Sequence, residues 1–324
     1  MTIESLAQAS NAAIYAAMVT LAIAMFAFAV SFAAGRRRVA PVVVEALGTR
    51  GESIGGGTGV LTRAEALIEE PGRRSANIGM SLTWLAAALL LIGVVLRGVW
   101  AGRVPWGNMY EFSITSALGI LLVFLILSLR SDVRWLGLFV VIPVLLTLGL
   151  AVTVLYTEAA QLVPALKSYW LIIHVSAAII CGGAFTIAGA SAGLALLRGW
   201  RERVAVASGR PASDIWSRIP SVPSLETFTY RIVAFSFPLW TFAVVSGAIW
   251  AENAWGRYWG WDPKETWAFI TWVVFAAYLH ARSTKGWRGS RASWIAVAGF
   301  AAFLINYFGV NLFVNSLHSY AGVG

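Results

Sequence analysis

The stretch WLGLFVVIPVLLTLGLAVTVLY, from Trp135 to Tyr156, carries no charged residue over 22 positions. About 20 apolar residues at 1.5 Å each cross the hydrocarbon core of a bilayer as a helix, so this run is long enough to span one. Working outward from it, seven more runs of the same kind occur, at 11–34, 79–97, 113–130, 169–197, 228–250, 265–281 and 292–313. A backbone in lipid has no water to bond, which leaves only helices and closed barrels as spanning structures. The expected fold class is therefore all-α, a polytopic integral membrane bundle of about eight transmembrane helices.

Composition agrees, with 59% hydrophobic and 12% charged residues, where soluble domains carry about 25% charged. The net charge of +9 would suggest nucleic-acid binding in a soluble chain. Here the basic residues lie between apolar runs rather than on one amphipathic face, so they report topology and no nucleic-acid partner is expected. Loops 35–78, 130–134, 198–227 and 282–291 hold the arginine-rich stretches, whereas the alternate loops hold only Arg97, Arg103, Lys167, Arg257 and Lys264. Cytoplasmic loops are enriched in Lys and Arg, which puts the first set inside and both termini outside. The N-terminal helix, 1–34, has Arg36, Arg37 and Arg38 after it rather than before it, the reverse of a cleavable signal peptide.

Three divisions follow: the N-terminal helix, a flexible cytoplasmic loop at 35–78, and a seven-helix membrane domain at 79–324. Gly55-Gly56-Gly57-Thr58-Gly59 lacks the lysine and the strand of a phosphate loop and reads as linker. Pro143 is expected to kink the fourth helix, and Gly189 and Gly193 form a close-packing G-x-x-x-G in the fifth. No inverted repeat of the transporter kind is evident. The lone cysteine, Cys181, excludes a disulfide, a C-x-x-C redox motif and a C-x-x-C-H haem attachment site.

Chemistry concentrates in WAENAWGRYWGWDPKETW, Trp250 to Trp267, on the external side of this topology. An interfacial belt places a Trp or two at each helix end; here five of the 16 tryptophans share one loop with glycine spacers. That pattern fits an aromatic platform for a flat ligand, and a porphyrin meets the description: ring faces for Trp, an iron for imidazole, propionates for cations or helix N–H groups. Arg257 and Lys264 are the loop's cations, and Asp262, ahead of Pro263, is placed to cap the seventh helix.

The chain has three histidines. His174 lies one turn into the fifth helix from the outside, and His318 follows the eighth helix on the same side, so both are candidate axial ligands at the Trp loop. Asn311, Asn315 and His318 recur at helical spacing beside it. His280 lies about 22 Å down the seventh helix, toward the inner leaflet. An ionisable group at that depth is a functional candidate, and no second histidine is near it.

These residues carry a family resemblance. Trp255-Gly256-x-Tyr258-Trp259-x-Trp261-Asp262-Pro263-Lys264-Glu265-Thr266-Trp267, with Leu279-His280-Ala281-Arg282 and Leu317-His318-Ser319-Tyr320, closely resembles the haem-handling WWD family of cytochrome c maturation, in its CcsA/ResC type of system II, called CcsB in some lineages. The likeness is strong from about residue 169 onward. It implies a multi-pass protein of the bacterial plasma (inner) membrane with haem b as substrate and a haem site on the outer face. It also implies a ResB-type membrane subunit, apocytochrome c and a thiol-reducing thioredoxin-like protein as partners, besides the lipid bilayer. By the same resemblance His280 holds haem within the membrane with a partner ligand, while His174 and His318 flank the external site, with Trp255, Trp259, Trp261, Trp267, Asp262, Arg257 and Lys264 around it. The implied function is transport of haem across the membrane and its covalent attachment to apocytochrome c as a synthase subunit. A haem exporter or chaperone that forms no bond is the alternative.

Overall fold

The computed structural model describes residues 3–34, 72–159, 166–209, 216 and 218–318. The glycine run 55–59, Arg36 to Arg38 and Ser319-Tyr320 lie outside the described residues. The helices are α1 (Ile3–Ala33), α2 (Arg73–Ala101), α3 (Met109–Ser128), α4 (Gly137–Thr153, led in by a 3-10 turn at Arg134–Leu136), α5 (Tyr169–Ser208), α6 (Val222–Trp255), α7 (Pro263–Ser283) and α8 (Ser290–Leu304). After α8 a π-helical turn, Ile305–Gly309, leads into the short α9, Val310–Phe313. There is no strand among the described residues. The fold is an all-α, polytopic membrane bundle.

Seven of the spans are long and apolar enough to cross a membrane, with α8, the π turn and α9 counted as one of them. The remaining helix, α7, has 21 residues, a length of about 32 Å. Charges at its two ends, Lys264 and Glu265 at one and Arg282 at the other, dilute it. Helix α2 starts at Arg73, ahead of its apolar run, because Arg73 and Arg74 extend the helix beyond the hydrophobic segment.

Helix α5 is the pillar of the bundle. It packs against α6, α3 and α8 and touches α4 only lightly. Small residues let the neighbours approach: a Cβ on Gly182 would fall 2.8 Å from the ring of Phe303, and one on Gly189 would strike Phe300. Gly193 has nothing within 4 Å among the described residues, so of the expected G-x-x-x-G it is the first glycine that makes a helix contact there. Helix α1 lies along α2 and, more loosely, α4, on the flank of the bundle. Pro143 sits inside α4, which runs through it, and lines the gap that α4 and α5 leave between them.

All the arginine-rich turns described fall at one end of the bundle: Arg130 and Arg134, then Arg198, Arg201, Arg203 and Arg218, and Arg282, Arg288 and Arg291. The opposite end carries the α2–α3 and α6–α7 loops and a cavity.

Candidate functional site

The cavity has a volume of about 580 Å³, within the range of small-molecule and cofactor sites. Its walls are mostly apolar and come from α3 to α9, with polar side chains gathered near the loops. Both His174 and His318 line it, together with Trp106, Asn108, Trp250, Tyr258, Trp259 and Lys264.

His174 is one turn into α5, and its Nδ1 lies 2.7 Å from the carbonyl oxygen of Ala243 on α6. A carbonyl only accepts, so Nδ1 carries the proton and Nε2 keeps its lone pair. Gly247 makes this fit possible, since a Cβ there would lie 2.7 Å from the imidazole. His318 follows α9 in a turn, and its Nδ1 lies 2.9 Å from Oδ1 of Asp262. Burial, the largest influence, holds the His318 pKa below the ordinary histidine value although the bond to Asp262 pulls it upward. Burial also opposes the charge on Asp262, but the bonds from His318 and from the N–H of Leu317 outweigh it and keep that pKa lowered. The pair is therefore a neutral imidazole donating Nδ1–H to an ionised carboxylate, which again leaves Nε2 bare. A metal-binding histidine is oriented by this kind of partner on its other nitrogen.

Asp262 does two things at once. As N-cap of α7 it accepts from the N–H of Lys264 at 3.1 Å, and its Oδ2 accepts from Leu317 N–H at 2.9 Å. Glu265, three residues on, closes the capping box by accepting from Asp262 N–H at 3.1 Å and Gly260 N–H at 2.8 Å on one oxygen. The left-handed backbone of Trp261, φ 59°, turns those two N–H groups to a common point. Such a conformation costs a non-glycine residue roughly 1–3 kcal/mol.

Trp250, 2% exposed, lies parallel to His174 with ring centroids 6.3 Å apart and 5.6 Å from His318. Trp255 packs on both Trp250 and His318, at 4.8 and 4.9 Å, behind the cavity wall. Lys264 reaches Asn306 in the π turn, its Nζ 3.0 Å from the carbonyl oxygen. Arg257 stands off the cavity, paired with Glu265 at 3.3 Å. Trp261, 67% exposed, and Trp267 also lie off it. His280 is exposed near the far end of α7. Asn311 lines the cavity, but α9 ends at Phe313, so Asn315 and His318 are not on its helical face. The structure thus gathers His174, His318, Trp259 and Lys264 on one cavity, with Asp262 and Trp255 supporting His318.

The residues fit a porphyrin. Two imidazoles present free Nε2 atoms, indole rings line the wall, Lys264 offers an amine, and two buried polar atoms near the loops, Trp106 Nε1 and Asn306 Oδ1, have no hydrogen-bond partner among the described residues. An orphaned buried polar atom costs about 1–3 kcal/mol, which a ligand group can recover.

The profile of the Cytochrome C assembly protein family matches residues 106–318. The chain belongs to this family. The matched span begins at Trp106 and ends at His318, and both residues line the cavity; α1 and α2 lie outside the span. Relatives in the family include the cytochrome c biogenesis protein CcsA of Guillardia theta, 37% identical over 259 residues, covering 75% of this chain and 85% of that protein. CcsA of Microcystis aeruginosa is 36% identical over 288 residues, covering 75% and 87%. Among solved structures, cytochrome c heme lyase CcmF superposes with a TM-score of 0.62 at 16% identity, covering 95% of this chain and 47% of that one. That likeness is one of fold.

Sequence reading passed over Trp250, Gly247, Trp106 and Asn108 as site residues. Trp250 was visible at the start of the Trp-rich stretch, and its place between the histidines depends on the long α6. Nothing local marks Gly247. Trp106 and Asn108 lie outside the tryptophan-rich stretch, in the α2–α3 loop.

Proposed function

Within cytochrome c biogenesis, we propose that this chain carries haem b across the membrane and presents it at the cavity, on His174 and His318, for covalent attachment to apocytochrome c. The observation that supports this is the pair of imidazoles on one apolar cavity, each with Nδ1 committed to an acceptor and Nε2 left for iron. In this reading the arginine-rich end faces the cytoplasm, both termini and the cavity face outward, and the membrane is the bacterial plasma membrane. A ResB-type subunit completes the inner site at His280, and a thioredoxin-like protein keeps the apocytochrome cysteines reduced.

Attachment adds each thiol of the apocytochrome across one vinyl group: a C–S bond forms, the S–H bond breaks and the hydrogen ends on the neighbouring carbon. No oxidant is consumed. The chain supplies orientation and water exclusion, since the reactive groups belong to haem and the incoming thiols. A histidine of the apocytochrome then takes over one axial position, releasing the product.

The test is the haem spectrum of the protein purified with and without its partner subunit, for wild type and for His174→Gly, His318→Gly and His280→Gly. The first two substitutions are expected to remove the cavity haem. Three unchanged spectra would overturn the assignment. Covalent haem on a co-expressed cytochrome c separates attachment from mere export.

A further inference from the structure

Residues 103–111 and 257–265 are built on one plan. Each spans nine positions from an arginine to a glutamate at the third position of a helix, Arg103 to Glu111 of α3 and Arg257 to Glu265 of α7. In both, Nη1 of the arginine reaches that glutamate, at 2.6 and 3.3 Å. In both, a Trp-Gly pair precedes the cap, and the glycine N–H donates to Oε2 of the glutamate at 2.8 Å. In both, the guanidinium lies across the glycine so closely that a Cβ has no room. The caps, Asn108 and Asp262, share one register; only the Trp-Gly pair is offset by one residue. The tryptophans of the two pairs, Trp106 and Trp259, line the same cavity.

The loops differ in what they offer a ligand. Loop 257–265 brings Lys264 to the cavity. Loop 103–111 spends its arginine, and Arg97 with it, on Glu111. It brings instead the Trp106 indole N–H, buried without an acceptor among the described residues, and Asn108, whose Oδ1 is taken by the N–H of Glu111. A neutral indole N–H and an amide NH₂ beside an apolar wall suit one carboxylate of a flat ligand whose other carboxylate goes to the Lys264 amine.

We propose that loop 103–111 is the second jaw of the haem cavity: Trp106 is a ring platform, and its N–H with the Asn108 amide holds one haem carboxylate while Lys264 takes the other. This rests on the reading of the cavity as a haem site.

The test titrates ferric haem and its dimethyl ester, whose carboxylates are blocked, into the purified full chain, following the Soret band and indole fluorescence quenching. Trp106→Phe is expected to weaken haem by about tenfold, a charge-assisted hydrogen bond, with ester affinity and Soret position unchanged. Asn108→Asp keeps the helix cap and puts a like charge against the carboxylate, so it too should weaken haem about tenfold or more and spare the ester. Trp106→Ala should weaken both ligands, and Trp287→Phe, at the far end, neither. Wild-type haem affinity in Trp106→Phe and Asn108→Asp, with His174→Gly still losing haem, overturns the second jaw and leaves the site reading standing. Equal weakening of haem and ester by Trp106→Phe overturns the carboxylate contact. Haem binding that survives His174→Gly and His318→Gly strikes the underlying reading instead. Where Trp106→Phe lowers the thermal midpoint of the haem-free chain, Asn108→Asp decides.

Discussion

The two ends of the bundle treat histidine differently. At the cavity end, His174 and His318 each have an acceptor on Nδ1, from Ala243 and Asp262, and both pack on Trp250. At the far end, His280 is exposed on α7. Packing of the charged groups follows the same division. Glu111, fully buried, takes Arg97, Arg103 and the Gly107 N–H, whereas at the far end Glu226 and Arg282 meet at 3.4 Å, both partly exposed. The contrast teaches that the imidazoles at the cavity end are oriented by acceptors within the chain, whereas the one at the far end is exposed. An imidazole oriented through Nδ1 is a preformed ligand.

The largest effect that would break this contrast lies in the charges. Glu111→Ala strands Arg97 and Arg103, and is expected to cost about 3–5 kcal/mol, whereas Glu226→Ala strands one arginine rather than two and should cost less; thermal unfolding in detergent measures both, and equal losses would erase the distinction. Next comes Asp262→Asn, which keeps a cap and weakens the orientation of His318. Haem affinity should fall roughly 10- to 100-fold, as for other partners of metal-binding histidines, and an unchanged affinity would deny Asp262 its orienting role. A smaller effect, confined to one end, is expected of His280→Gly: cavity haem in the isolated chain should stay within about twofold, with loss of a second haem appearing only in the complex with the partner subunit. The smallest is a pH effect. Because burial lowers the His318 pKa in the fold, its contribution is fully present above the unfolded value of about 6.5 and declines as pH falls below it. The unfolding midpoint should drop along that acid side, and His318→Gln should flatten the slope.

Much of the fold was legible because a bilayer imposes a length and a polarity on each helix. The runs at 135–156 and 169–197 needed no tertiary information. Boundaries were less visible: α5 extends to Ser208 and α6 starts at Val222, beyond their apolar runs, since helices continue past the hydrocarbon layer where charged side chains meet water. The histidines and the Trp loop were legible from depth along helices. The division of labour inside the loop was not: Trp259 faces the cavity while Trp261, two residues on, takes a left-handed backbone and faces out, a choice set by where Glu265 needs its N–H donors. The kinship of loops 103–111 and 257–265 escaped because the two share only an arginine, a tryptophan-glycine pair, a cap and a glutamate, and the middle pair is offset.

Helix α7 has a mechanical consequence. It is one rod of about 32 Å with Asp262 fixed to its first turn and His280 near its last, and Asp262 holds both His318 and the backbone of Leu317. A tilt of the helix at the His280 end is therefore a displacement of the anchor of His318. A spin-label distance from α7 to α5 at the cavity end reads that displacement.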